Sequence, residues 1–148
     1  MSEAIFASGH CLCGAVEFTV SSAPILSAQC HCEHCQRASG TGHMSLAFFP
    51  EAAVAIRGET RHFDSVTDTG SINTRYFCPT CGSRLFGQTT MRPGVLGIAV
   101  GAFDQHTWFK PNRIVYHRNK PAWDFMDPNL PTFETGAPPP PSKDKASS

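Results

Sequence analysis

A chain of 148 residues is long enough for one hydrophobic core, and 41% apolar against 16% charged residues is the composition of an ordinary soluble protein. Lys+Arg 12 and Asp+Glu 12 cancel at a pI near 7, which argues against the clustered basic charge of a nucleic-acid footprint or a polybasic membrane anchor. The longest apolar runs, such as Val95 to Val100, are far too short to cross a bilayer. The opening "MSEAIFASGH" has no basic region followed by a long apolar stretch, so a cytoplasmic protein is expected.

In chain order, the predicted elements are almost all strands. They are Ala15 to Val20, Met44 to Phe49, Ala53 to Gly58, Arg61 to Ser65, Ser71 to Phe77, Ser83 to Gln88, Val95 to Gly101 and Arg113 to His117. Each is short, carries β-branched or aromatic residues, and is bounded by Gly, Pro, Asp or Asn. Such a series predicts a mostly β protein of small packed sheets. One short helix is expected from Cys32 to Ser39, stopped by Gly40, and a further turn within "DPNLPTF". Residues 1–135 are read as one β domain. From Gly136 the sequence "GAPPPPSKDKASS" has nothing to bury and is read as a disordered tail.

The seven cysteines carry the chemistry. A reducing compartment and an odd count argue against disulfides and for metal ligation. They fall as "CLC" (Cys11, Cys13), "CHCEHC" (Cys30, Cys32, Cys35) and "CPTC" (Cys78, Cys81). A CxxC turn aims two thiolates at one tetrahedral metal, and a CxC at a strand end can do the same. The two pairs therefore make a closed four-sulfur structural zinc site of Cys11, Cys13, Cys78 and Cys81. The pairing itself stays open, since Cys78 and Cys81 could instead join two cysteines of the triplet.

Three thiolates remain. An open fourth position is the pattern of a catalytic zinc, with water or substrate completing the shell. The bland alternative is a second structural site closed by His31, His34, His43 or His62. Three thiolates leave zinc with net charge −1, a poor activator of water but a natural host for a substrate thiol, which zinc deprotonates. Nucleobase deamination requires C-x-E followed by P-C-x-x-C. Here Glu33 directly follows Cys32, and Pro79 lies inside the CxxC, so that chemistry is excluded. No βαβ pattern surrounds "CPTC", which argues against a thioredoxin-type role.

The stretches "GHCLCGAVEF", "CHCEHCQRASG", "FCPTCGSRLF", "AVGAFD" and "KPAWDF" together resemble the glutathione-dependent formaldehyde-activating enzyme family, which also contains centromere protein V. The resemblance runs from about Gly9 to Phe133. It implies a fold related to the Mss4-like zinc fold and two zincs per chain. Cys11, Cys13, Cys78 and Cys81 would hold the structural one, and Cys30, Cys32 and Cys35 the catalytic one. It further implies a carbon–sulfur lyase, or the reverse addition, acting on glutathione and formaldehyde in the manner of an S-hydroxymethylglutathione synthase. The chain is shorter than the enzyme that gives the family its name. It also lacks centromere protein V's basic extension, so a chromatin role does not transfer.

Among other residues, Arg37 is the candidate for a glutathione carboxylate, against an ordinary surface role. Phe48, Phe49 and Trp123 are candidate pocket walls, against the commoner role of core aromatics. The expected partner is glutathione or a similar small thiol. The rival to an enzyme is a binding module with both zincs structural. A zinc buffer or redox sensor is a third reading.

Overall fold

The computed structural model describes residues 4–137. Among them are ten strands, one α-helix and three 3-10 turns. The strands are β1 (Ala7–His10), β2 (Glu17–Val20), β3 (Leu26–Cys30), β4 (Met44–Pro50), β5 (Val54–Arg57), β6 (Arg61–Val66), β7 (Ile72–Phe77), β8 (Arg84–Thr89), β9 (Val95–Ala99) and β10 (Arg113–Val115). The helix α1 is Glu33–Ser39. They form a 3-stranded sheet in the order β1-β2-β5 and a 7-stranded sheet in the order β10-β3-β4-β9-β8-β7-β6. Ladders are antiparallel except the edge pair of β10 with β3, which is parallel. The mostly β expectation holds.

The core lies where the small sheet meets the large one. Phe18 of β2, Phe49 of β4, Phe86 of β8 and Phe103 are buried together with Val16, Val20, Leu85 and Ile98. The rings meet edge-on: Phe18 lies 5.3 Å from Phe86 and 5.1 Å from Phe103, and Trp108 lies 4.8 Å from Phe103. Edge-to-face contact suits the opposed charges of ring face and ring edge. Removing one such ring by Phe→Ala costs about 3–5 kcal/mol. Phe49 is therefore a core residue, whereas Trp123 is 64% exposed.

Two strands escaped the sequence reading. β1 is "ASGH" and β3 is "LSAQC", and neither offers a run of β-branched residues. Their strand character comes from neighbours. Gly9 of β1 must be a glycine, because a Cβ there would overlap the Ala102 carbonyl and the Phe18 ring. The helix starts where expected and ends at Gly40, whose φ of 77° is the left-handed conformation glycine adopts without strain. The expected turn in "DPNLPTF" is present at Pro128 and Asn129, closed by the Leu130 N–H on the Asp127 carbonyl at 3.4 Å, and Thr132 bridges to Ile114 beyond it. The prolines of the predicted tail, from Pro138 on, lie outside the described residues. Gly136 and Ala137 are described, and they border the cavity considered below.

Candidate metal centres and the cavity between strands

Four cysteines gather where the β1–β2 turn meets the β7–β8 turn. Cys11, Cys13, Cys78 and Cys81 place their sulfurs within 4.8 Å of one another. Cys11 Sγ is 3.7 Å from Cys13 Sγ, which is 3.8 Å from Cys78 Sγ. Each turn is shaped by a glycine with positive φ, Gly14 at 82° and Gly82 at 78°. Backbone N–H groups point at the sulfurs: Val16 donates to Cys11, and Thr80 and Cys81 donate to Cys78. Leu12 N–H donates to Ser83 Oγ at 2.9 Å and ties the turns together. The Ser83 hydroxyl, 3.2 Å from Cys81 Sγ, holds that thiol down to about 5. Cys11 and Cys78 belong to the main core, so this group is continuous with it.

The triplet is built differently. Cys30 ends β3, Cys32 caps α1 and Cys35 lies in its first turn. Their sulfurs also lie within 4.8 Å of one another. The Cys35 N–H donates to Cys32 Sγ at 3.3 Å. Cys30 and Cys35 are 9% and 7% exposed, against a small satellite cluster with Met44. Three sulfurs this close cannot all ionise unaided. Hydrogen bonding from Cys30 and then Cys35 pulls Cys32 down to about 2, while Cys32 and Cys35 push Cys30 far up. A cation among them would remove the conflict. Both cysteine groups fit a metal ion in donor type and spacing.

Among the described residues, no histidine or carboxylate joins the triplet. His31 is fully buried and faces elsewhere. Its Nδ1 donates to the Gly42 carbonyl at 2.8 Å and lies 3.4 Å from Asp124 Oδ2. His43 Nδ1 donates to the same carboxylate oxygen at 2.7 Å. Burial lowers the pKa of His31. His31, His43 and Asp124 thus clamp the loop after α1 onto the "KPAWDF" segment. Gly42 is required there, because a Cβ would collide with the Asp124 carboxylate. Gln36 adds a second tie, donating to the carbonyls of His31 and Asn119.

The triplet borders a cavity of about 620 Å³ on one face of the large sheet. Leu26, Ala28 and Cys30 of β3 and Leu46 and Phe48 of β4 form its floor, at the two-residue spacing of one strand face. Gly87 of β8 and Gly97 of β9 are cross-strand partners and hollow it out. A Cβ at Gly97 would come 2.9 Å from the Phe48 ring, and one at Gly87 would come 2.7 Å from Arg84 Nη2. So Phe48, unlike Phe49, does line a pocket. Tyr116 stands at the wall with φ 55°, a strained backbone for a non-glycine, and its hydroxyl donates to Asp68 at 2.8 Å. Burial and then that bond raise its phenol above the usual range.

The cavity is basic. Arg75, Arg84, Arg92, Arg113 and Arg118 line it. Arg118 reaches Asp68 at 4.0 Å, but the other four have no carboxylate partner among the described residues. Arg84 is the most confined. Its Nε and Nη1 are buried and make no hydrogen bond among the described residues, and burial followed by the charge of Arg75 pushes it down to about 10. A register shift of β8 against β7 aims it here: Phe77 pairs with Arg84 and Tyr76 with Phe86, so Leu85 is passed over. Bulges re-aim side chains in this way. Arg37, by contrast, does not line the cavity. It is exposed on α1 and bonded to Glu33 one turn back, at 2.9 Å.

A small β-sheet protein with two thiol groups able to hold metal ions is the class that fold and site define. The family model described as glutathione-dependent formaldehyde-activating enzyme matches residues 6–119, and the chain belongs to that family. Two curated relatives are provisionally named as such enzymes. The Halomonas elongata protein is 28% identical over 124 residues, 78% of this chain and 77% of its own length. The Penicillium rubens protein is 29% identical over 105 residues, 69% of this chain but only 54% of its own length. A crystal structure of a Rhodobacter sphaeroides protein aligns over 85% of this chain and 98% of that one, with TM-score 0.55 and 20% identity, a likeness of fold. Among the described residues, no helix is long and apolar enough to cross a membrane.

Proposed function

We propose that the chain is a zinc-dependent carbon–sulfur lyase, or catalyses the reverse addition, on adducts of glutathione or a related thiol. One observation carries the reading. Cys30, Cys32 and Cys35 converge without a fourth protein ligand among the described residues and border a cavity large enough for a tripeptide. Zinc suits both groups. Sulfurs at about 2.3 Å from a tetrahedral zinc lie about 3.8 Å apart, and the quartet's neighbouring sulfurs lie 3.7 and 3.8 Å apart.

Zinc held by Cys30, Cys32 and Cys35 would supply a soft cationic centre that lowers the pKa of a substrate thiol. The rest falls to the protein. Phe48, Leu46 and Ala28 provide an apolar floor that orients the substrate, and Arg75 offsets the negative charge of the thiolates. In the addition, a sulfur–carbon bond forms at the aldehyde carbon, the carbonyl oxygen becomes a hydroxyl, and the thiol proton ends on that oxygen. The reverse breaks the same bond and returns the proton to sulfur.

Exchange NMR on equilibrated glutathione and formaldehyde measures this making and breaking directly. Metal-loaded wild type should accelerate it and Cys32→Ser should not. Failure to accelerate exchange with formaldehyde or any larger aldehyde would sink the reading.

A further inference from the structure

The cavity's charge is more specific than the proposed function requires. A protein with no net charge gathers four arginines without carboxylate partners among the described residues at one concavity. Two of them stand at its sulfur end, Arg75 close enough to Cys32 and Cys35, and Arg84 to Cys35, for their charges to be felt. Arg75 still has a hydroxyl partner, Ser65 Oγ, at 2.9 Å. The Arg84 guanidinium has none among the described residues. Burying a cation without a partner is costly, and replacing such a group by an apolar one usually stabilises a fold. The register shift in β8 and the glycine at position 87 both serve to seat it.

A guanidinium kept only as counter-charge to the thiolates would place N–H groups on sulfur. The buried Nε and Nη1 reach no sulfur. A neutral thiol, or a neutral one-carbon aldehyde, would leave the charge unmatched. A carboxylate would match it, because its planar pair of oxygens suits a guanidinium.

Resting on the proposed function for its sulfur site, we infer that Arg84, assisted by Arg75, forms a carboxylate subsite beside the cysteine triplet. The substrate is then a thiol, or thiol adduct, that carries a carboxylate within a few bonds of its sulfur. Arg84 is on this account a specificity residue, and Arg37 takes no part.

Three small probes separate the terms in zinc-loaded protein. 3-Mercaptopropionate carries thiol and carboxylate, 2-mercaptoethanol only the thiol, and 3-(methylthio)propionate only the carboxylate. Amide shifts of Arg84 and Gly87 report binding by NMR titration. In wild type, 3-mercaptopropionate should bind at least tenfold tighter than 2-mercaptoethanol. Arg84→Met should bring the two within about twofold of each other while leaving 2-mercaptoethanol unchanged. Arg84→Lys should keep part of the preference. 3-(Methylthio)propionate should shift both amides in wild type and not in Arg84→Met. Equal binding of the two thiols in wild type, or a preference that survives Arg84→Met, overturns the subsite and leaves the proposed function standing. Arg84-dependent binding of 3-(methylthio)propionate, with no thiol bound through sulfur, supports the subsite and removes the proposed function.

Discussion

The quartet and the triplet use the same ligand type and differ in everything around it. Cys11, Cys13, Cys78 and Cys81 come from two turns far apart in sequence, meet at the edge of the main aromatic core, and complete a set of four. Cys30, Cys32 and Cys35 are local, lie over a small satellite cluster, and border a basic cavity. A metal in the first closes a long loop and couples its binding to folding. A metal in the second joins elements already adjacent, so its binding is free to serve chemistry.

The sharpest break in that comparison is a pair of serine variants. Cys78→Ser should prevent folding or lower stability drastically, since metal-binding free energy on the order of 10 kcal/mol is coupled to such a site. Cys32→Ser should melt close to wild type and lose thiol binding. Thermal melts in the opposite order would exchange the roles of the groups.

Asp124→Ala comes next. It frees His31 and His43 and leaves the buried His31 ring bonded only to Gly42. A loss of about 1–3 kcal/mol is expected, read as a lower denaturation midpoint. Metal should be lost from the triplet before the quartet, because His31 lies between Cys30 and Cys32. Equal metal loss from both groups would mean that the clamp supports the whole fold.

Gly87→Val sharpens the boundary between fold and cavity. It should displace the Arg84 guanidinium, cost about 1–3 kcal/mol through crowding, and weaken binding of carboxylate-bearing thiols while the quartet keeps its metal. Unchanged ligand binding would show that Arg84 does not work from this position.

The smallest effect belongs to Arg37→Ala. An exposed i,i+4 pair contributes less than about 0.5 kcal/mol, and Arg37 lies outside the cavity lining. Thiol binding should not change. A large loss of binding would return Arg37 to the role its sequence position first suggested.

These variants also mark what the sequence reveals. The cysteine motifs were legible as local metal-ligand spacing, but that spacing left open which pair joins which; the sulfurs of Cys11, Cys13, Cys78 and Cys81 lie within 4.8 Å of one another, and so do those of Cys30, Cys32 and Cys35. The arginine cavity was not. Arg75 and Arg84 lie on different strands, and a register shift decides which face Arg84 takes. The acidic residues that cancel the net charge lie mostly outside the cavity, so overall neutrality concealed a local excess. "SRLF" offered one clue, a charged residue leading an apolar strand, but nothing local says what it faces. β1 and β3 were missed because small residues such as Gly9 and Ala28 are there for close packing, which is a property of their neighbours.

The most direct test of one closed and one open centre is cobalt titration of the metal-free protein, refolded if required. Thiolate-to-cobalt charge-transfer absorption reports the sulfur shell of each site. The first equivalent should give a spectrum that glutathione does not alter. The second should give a band that intensifies when glutathione adds its sulfur. Two sites whose spectra are both complete without thiol and both indifferent to glutathione would contradict the account.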